Sequence, residues 1–182
     1  MNESNKSVYD TPTNMSETRR HVLTILVDNE PGVLARVIGM FSGRGYNIDS
    51  LNVAEVSNQH LSRITIVTQG TNEVLEQIQT QLMNIVPVHS VTNLQAEGSA
   101  VEAEVALVYM NIEEENKKEV YQICDFYRAR KIENEHNSVI FEIAGASERI
   151  NSFIKEIEAI AKVEIVRSGP VAISTYQKNE EE

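Results

Sequence analysis

Only a few side chains in this sequence have types and spacings suited to chemistry, and they suit holding a ligand better than breaking a bond. The stretch Asp28-Asn29-Glu30-Pro31-Gly32-Val33-Leu34 joins a strand-type run, Val22 to Val27, to a helix-type pattern in which Val33, Leu34, Val37, Ile38 and Phe41 share one face. Asn29 can cap that helix, Pro31 suits its first turn, and Gly32 lets the backbone approach another body closely. Free backbone N–H groups at the helix start form a site for a small anion such as a carboxylate. The same residues also make an ordinary strand-to-helix turn, and both readings stand at this level. A second mixed stretch, Gly45-Tyr46-Asn47-Ile48-Asp49-Ser50-Leu51, opens another strand. Asn47 offers an amide donor and acceptor, and Ile48 an apolar wall. Equally, Asn47 fits a turn and Ile48 a core.

The reactive residue types form no catalytic set. There is no Walker-type phosphate loop, no GxSxG elbow and no HExxH. His21, His60, His89 and His136 lie near strand ends or in turns, at spacings that suit no metal, and each is expected to be an exposed polar residue. Asp49 and Glu55 could pair along a strand, but no further partner is visible. Cys124, the single cysteine, excludes an internal disulfide. It falls on the apolar side of a helix and reads as a core thiol.

The elements that must position these residues fit within 182 residues, enough for two small domains. A net charge of −11, from 27 acidic and 16 basic residues, argues against non-specific nucleic-acid binding. No apolar run is long enough to span a membrane. Residues 1–18 are polar and read as a disordered leader, and 177–182 as an acidic tail. A cytoplasmic location is expected. Periodicity predicts a strand over 21–28, a helix over 31–43 closed by Gly43-Arg44-Gly45, and a strand running to Val56 with a bulge or bend near Ile48. A strand over 61–69, a helix over 72–85 and a strand over 86–95 follow. Thr24 and Ser62 mark the outer sheet face as not fully apolar. This βαββαβ order is that of a ferredoxin-like domain, 19–96, with both helices on one face of an antiparallel sheet. Residues 97–100 read as a linker.

The order then repeats over 101–176. A strand over 101–112 places Val105, Leu107 and Tyr109 on one face. A helix over 114–128 is opened by Glu113-Glu114-Glu115, strands over 131–135 and 139–144 flank the turn Glu135-His136-Asn137, and a helix is capped by Ser147. Strands over 163–166 and 171–174 are separated by Ser168-Gly169-Pro170. The expected fold is α+β, two ferredoxin-like βαββαβ domains in tandem.

With these residues in place, Asn29-Glu30-Pro31-Gly32-Val33-Leu34 resembles the signature of the ACT domain, an amino-acid-sensing module. Arg36-Val37, the block Phe41 to Leu51, Leu61 to Val67 and Val74 to Ile78 extend the likeness to the small regulatory subunit of acetolactate synthase. In the second half, Phe126-Tyr127-Arg128-Ala129-Arg130 is close to that family's Phe-Arg-Ala-Arg run, and Arg167 to Ala172 resembles its last strand. The resemblance covers about 20–175. One departure is Ala103 in Val101-Glu102-Ala103-Glu104, where the family often has Arg.

The resemblance implies a non-catalytic chain with no cofactor of its own. A separate large subunit would carry thiamine diphosphate, magnesium and FAD and make acetolactate for branched-chain amino-acid synthesis. The small subunit would raise its activity and confer feedback inhibition by valine. It implies a homodimer through the first domains, with no nucleic-acid or membrane partner. The effector would lie between two copies, lined by Asn29, Gly32, Val33 and Leu34 of one and Asn47 and Ile48 of the other. Alternatives are a tandem-ACT regulator sensing another amino acid and acting on transcription, an RNA-binding ferredoxin-like domain, and a small enzyme. The acidic charge opposes the second, and the absent machinery the third.

Overall fold

The computed structural model describes residues 17–95, 100–135 and 138–175. Most of the expected leader, linker residues 97–99, His136 and the acidic tail lie outside them. The first half runs β1 (Arg19–Asp28), α1 (Val33–Gly43), β2 (Ser50–Glu55), β3 (Leu61–Gly70), α2 (Asn72–Met83), β4 (Val88–Asn93). Its antiparallel sheet has the order β2-β3-β1-β4, so β2 and β4 are edges. Alternation explains the packing. Leu23, Ile25 and Val27 of β1 lie opposite Ile66, Ile64 and Ser62 of β3 and face the helices. There they meet Val33, Val37 and Phe41 of α1 and Leu75, Ile78 and Leu82 of α2. Each such fully buried apolar side chain contributes about 1.5–3 kcal/mol. Thr71 caps α2 by accepting a hydrogen bond from the Val74 N–H.

Two expectations about this sheet are corrected. Ser62 does not mark the outer face: its register with Val27 turns it toward the helices, and it is buried. His21 is also inside, only 5% exposed, with Nδ1 3.3 Å from the Asn93 amide. It sits one alternation before Leu23 on the same inward face, which a strand-end position does not reveal. His89, by contrast, is exposed and pairs with Asp28 at 2.6 Å.

The second half runs β5 (Ala100–Asn111), α3 (Lys117–Phe126), β6 (Arg130–Glu135), β7 (Ser138–Gly145), α4 (Ser147–Glu158), β8 (Val163–Arg167), β9 (Val171–Ser174). The sheet order is β6-β7-β5-β8, and β9 pairs with the start of β5. Ala106, Val108 and Met110 point inward onto Val120 and Cys124 of α3 and Ile150, Phe153 and Ile157 of α4. Val105, Leu107 and Tyr109 do share a face, as their spacing predicts, and it is the solvent-exposed one. The three glutamates 113–115 precede α3 rather than opening it, with Lys117 Nζ 2.7 Å from Glu114. Ser147 is the first residue of α4 and makes no capping bond; Ala146 takes the N-cap position. Burial pushes the Cys124 thiol up to about 12.

The two halves meet on the outer face of the first sheet. Val22, Val67 and Leu94 are covered there by Ala172 of β9. Arg20 bridges Glu102 with two hydrogen bonds, 2.7 and 3.2 Å. That hydrogen bonding holds the Arg20 guanidinium above its usual pKa, against the opposing pull of burial.

Candidate functional site

The turn between β1 and α1 is built by long-range contacts. Asn29 N donates to His60 O at 2.7 Å. Its side-chain Nδ2 donates to Glu55 Oε1 at 2.9 Å and to Gln59 O at 3.1 Å. Asn29 therefore does not cap the helix: its amide is drawn across to the β2–β3 turn. Pro31 also falls before the helix rather than in it. The N-cap is Gly32, at φ 89° and ψ −11°, with no side-chain capping bond. That left-handed conformation suits glycine, which has no Cβ to clash with the following carbonyl. An uncapped α-helix leaves its first N–H groups without intrahelical acceptors, so those of Leu34 and Ala35 remain open to an external one.

Electrostatics at this end favour an anion. The α1 dipole is positive here. Arg36 stands one turn on, its Nη2 3.9 Å from where a Gly32 Cβ would lie. It pairs loosely with Glu30 at 3.7 Å and donates to the Val86 carbonyl. Leu34 is 37% exposed beside the N–H groups, whereas the Val33 side chain is buried and its N–H reaches Glu30 O at 3.5 Å.

Asn47 and Ile48 lie past the other end of α1. Asn47 donates to Asp49 Oδ1 at 2.5 Å, and its carbonyl accepts from Thr68 Oγ1 at 2.6 Å. Asp49 N donates to Val67 O at 2.8 Å. The expected bend near Ile48 is present: residues 46–49 precede β2, and Ile48 packs partly on the first core. The nine α1 residues 35–43 separate the two groups, about 14 Å at 1.5 Å per residue. One chain thus brings Asn29, Gly32, Val33 and Leu34 together at one end and Asn47 with Ile48 at the other. Asp49 and Glu55 are not a pair: Glu55 holds Asn29, and Asp49 holds Asn47 and Gln69.

Sequence reasoning missed two parts of this site. Arg36 was legible, because four residues past Gly32 is one helical turn on the same face. The Asn29–Glu55 contact spans 26 residues and had no local signal. Among the described residues, no group of three or more His, Cys, Asp or Glu could hold a metal ion, and no helix is long and apolar enough to cross a membrane.

A βαββαβ domain with a glycine-headed start to its first helix, followed by a second domain of the same order, is of the ACT class. Residues 23–90 match the family model described as the AHAS small subunit-like ACT domain. Residues 103–176 match the model described as the small subunit of acetolactate synthase. The chain is 41% identical over 160 residues to the acetolactate synthase isozyme 3 small subunit of Escherichia coli, covering 87% of this chain and 98% of that protein. A probable acetolactate synthase small subunit of Archaeoglobus fulgidus is 35% identical over 154 residues, 85% of this chain and 96% of that one. The crystal structure of the small subunit from Thermotoga maritima superposes with a TM-score of 0.79 at 34% identity, covering 87% of this chain and 99% of that chain. The chain belongs to the acetolactate synthase small-subunit family.

Proposed function

We propose that this chain is the regulatory subunit of an acetolactate synthase, raising the activity of a separate large catalytic subunit and making it sensitive to valine. The observation that carries the effector reading is the separation of the two half-sites along α1. Because they lie about 14 Å apart in one chain, a small amino acid can touch both groups only between two copies. The Asn47–Ile48 loop leads into edge strand β2, where a second copy can add its own sheet. The effector carboxylate would accept from the N–H groups at the α1 start. Asn29 Oδ1 and the partner copy's Asn47 would orient the polar end, and Ile48 would wall the side chain. An apolar wall separates ligands differing by one methylene by only about 1–3 kcal/mol, so leucine and isoleucine would compete weakly.

Catalysis and its thiamine diphosphate, magnesium and FAD would reside in the large subunit, in the cytoplasm. The described residues carry no constellation for that chemistry. Isothermal calorimetry of the purified chain with valine, and with leucine, isoleucine and serine as comparators, tests the effector reading. Saturable valine binding matched to dimer interfaces supports it. An absence of binding, with no effect of valine on the reconstituted complex, would overturn it. Turnover of pyruvate by this chain alone would overturn the non-catalytic assignment.

A further inference from the structure

The turn Ser168-Gly169-Pro170, between β8 and β9, belongs to the second domain but is seated on β2 of the first. Asn52 Nδ2 donates to Ser168 O at 2.9 Å and to Pro170 O at 3.3 Å. Gly169 has φ 72°, and a Cβ there would run into Ser50 Oγ and stand 3.3 Å from Asn52 Nδ2. So the turn sits close on β2, and a side chain at its apex would have to displace Ser50 Oγ and adopt the left-handed backbone that favours glycine. Ser50 and Asn52 follow directly on the loop that carries Asn47 and Ile48, and that loop is tied to β3 through Asp49 and Thr68.

On its other side the turn is braced within the second domain. Ser168 exchanges two hydrogen bonds with Val105 of β5, 2.9 and 3.1 Å. Arg167 pairs with the buried Glu104 carboxylate and donates to Asn151 Oδ1 of α4 at 2.7 Å. The effector loop therefore runs by the chain itself into β2, and hydrogen bonds connect β2 through the turn to β5, with Arg167 beside the turn reaching α4.

We propose that Asn52 and Gly169 are positioning residues for feedback: they hold the second domain to the effector loop, so that the effector's preference for one loop position becomes a preference for one placement of the second domain. This rests on the effector reading above. A ligand shifts an equilibrium only through differential affinity for its states, and this contact makes the second domain's placement part of that difference. The other tether, Arg20–Glu102, joins β1 to the start of β5 and lines the same cavity as Asp49, Ser50 and the turn, so it is not independent of this contact.

The test uses the full chain with its cognate large subunit. Asn52→Asp keeps the side-chain shape but replaces the donor with a carboxylate facing two carbonyls. In this variant, valine should bind the free small subunit within about twofold of wild type, and the large subunit should still be activated. The valine concentration for half-inhibition should rise at least about fivefold, the low end of allosteric couplings. Gly169→Ala should act in the same direction, and Lys117→Gln, which removes an exposed ion pair with Glu114 ahead of α3, should leave half-inhibition unchanged. Thermal unfolding of each variant checks that it is folded. Wild-type inhibition of Asn52→Asp overturns the assignment, as does loss of valine binding by the free variant. So does an equal loss of feedback in Lys117→Gln. A wild-type chain that neither binds nor answers valine overturns the effector reading, and this inference with it.

Discussion

Replacing Gly32 with Asp tests the anion site and allows strain and charge to be separated. Gly32 lies at φ 89°, where an L-residue costs about 1–2 kcal/mol, with Asp at the lower end because its short side chain can bond locally. Space is not limiting: the nearest group to a new Cβ is Arg36 Nη2 at 3.9 Å. A loss near 1 kcal/mol in a chain of this size lowers Tm by about 2–4 °C, so the variant folds. With the effector's carboxylate on the Leu34 and Ala35 N–H groups, roughly one helical pitch, ~5 Å, would separate it from the new carboxylate. With an effective dielectric constant of roughly 20–40, the repulsion is about 1.7–3.3 kcal/mol, or about 15- to 250-fold in affinity. Arg36 offsets part of this, which places the expected loss toward the lower bound. Gly32→Ala carries the strain without the charge and should weaken valine binding less than about threefold. Calorimetry on the two variants and wild type reads the difference directly. A folded Gly32→Asp chain with valine affinity within threefold of wild type would remove this turn from the effector site.

Three further outcomes follow from the packing. Phe153 is fully buried, its ring 5.5 Å from that of Tyr127; Phe153→Ala should cost about 3–5 kcal/mol in chemical denaturation, and a loss below 1 kcal/mol would contradict the described second core. Arg128 holds a left-handed conformation at φ 51° after α3, so Arg128→Gly should stabilise the chain by about 0.5–1 kcal/mol, read as a higher Tm. Cys124, with its thiol pushed up to about 12, should resist a thiol reagent at pH 8 in the native state and react once unfolded. Its raised folded pKa gives a stabilising contribution that is fully present below the unfolded thiol's value, about 8.5. That contribution is lost as pH climbs through 12, so a Cys124→Ala chain should show less alkaline destabilisation.

The legible parts of this protein are those set by short-range pattern. The spacings Leu75–Ile78–Leu82 and Ile150–Phe153–Ile157 give helices one apolar face whatever they pack against. Alternation through Leu23–Ile25–Val27 and Ile64–Ile66 gives strands in the same way, and Cys124 falls inside because its helix has one apolar side. The strand-to-helix turn at Asn29–Leu34 was visible for a related reason, although its cap was not: Gly32, not Asn29, takes the N-cap position.

What the sequence by itself determined, then, is which residues share a face and where the chain turns. The tertiary structure alone decided which face is inside and which distant group each turn meets. β5 is apolar on both faces, and only the packing of α3 and α4 made Ala106–Val108–Met110 the core and left Val105–Leu107–Tyr109 outside. Ser62 and His21 went inward because strand register fixed their side. Asn29 was drawn away from the helix by Glu55 and Gln59, and Ser168-Gly169-Pro170 was placed against Asn52, 116 residues from Ser168. Local pattern acts over one or two turns of chain, whereas these contacts exist only once both sheets have formed and met.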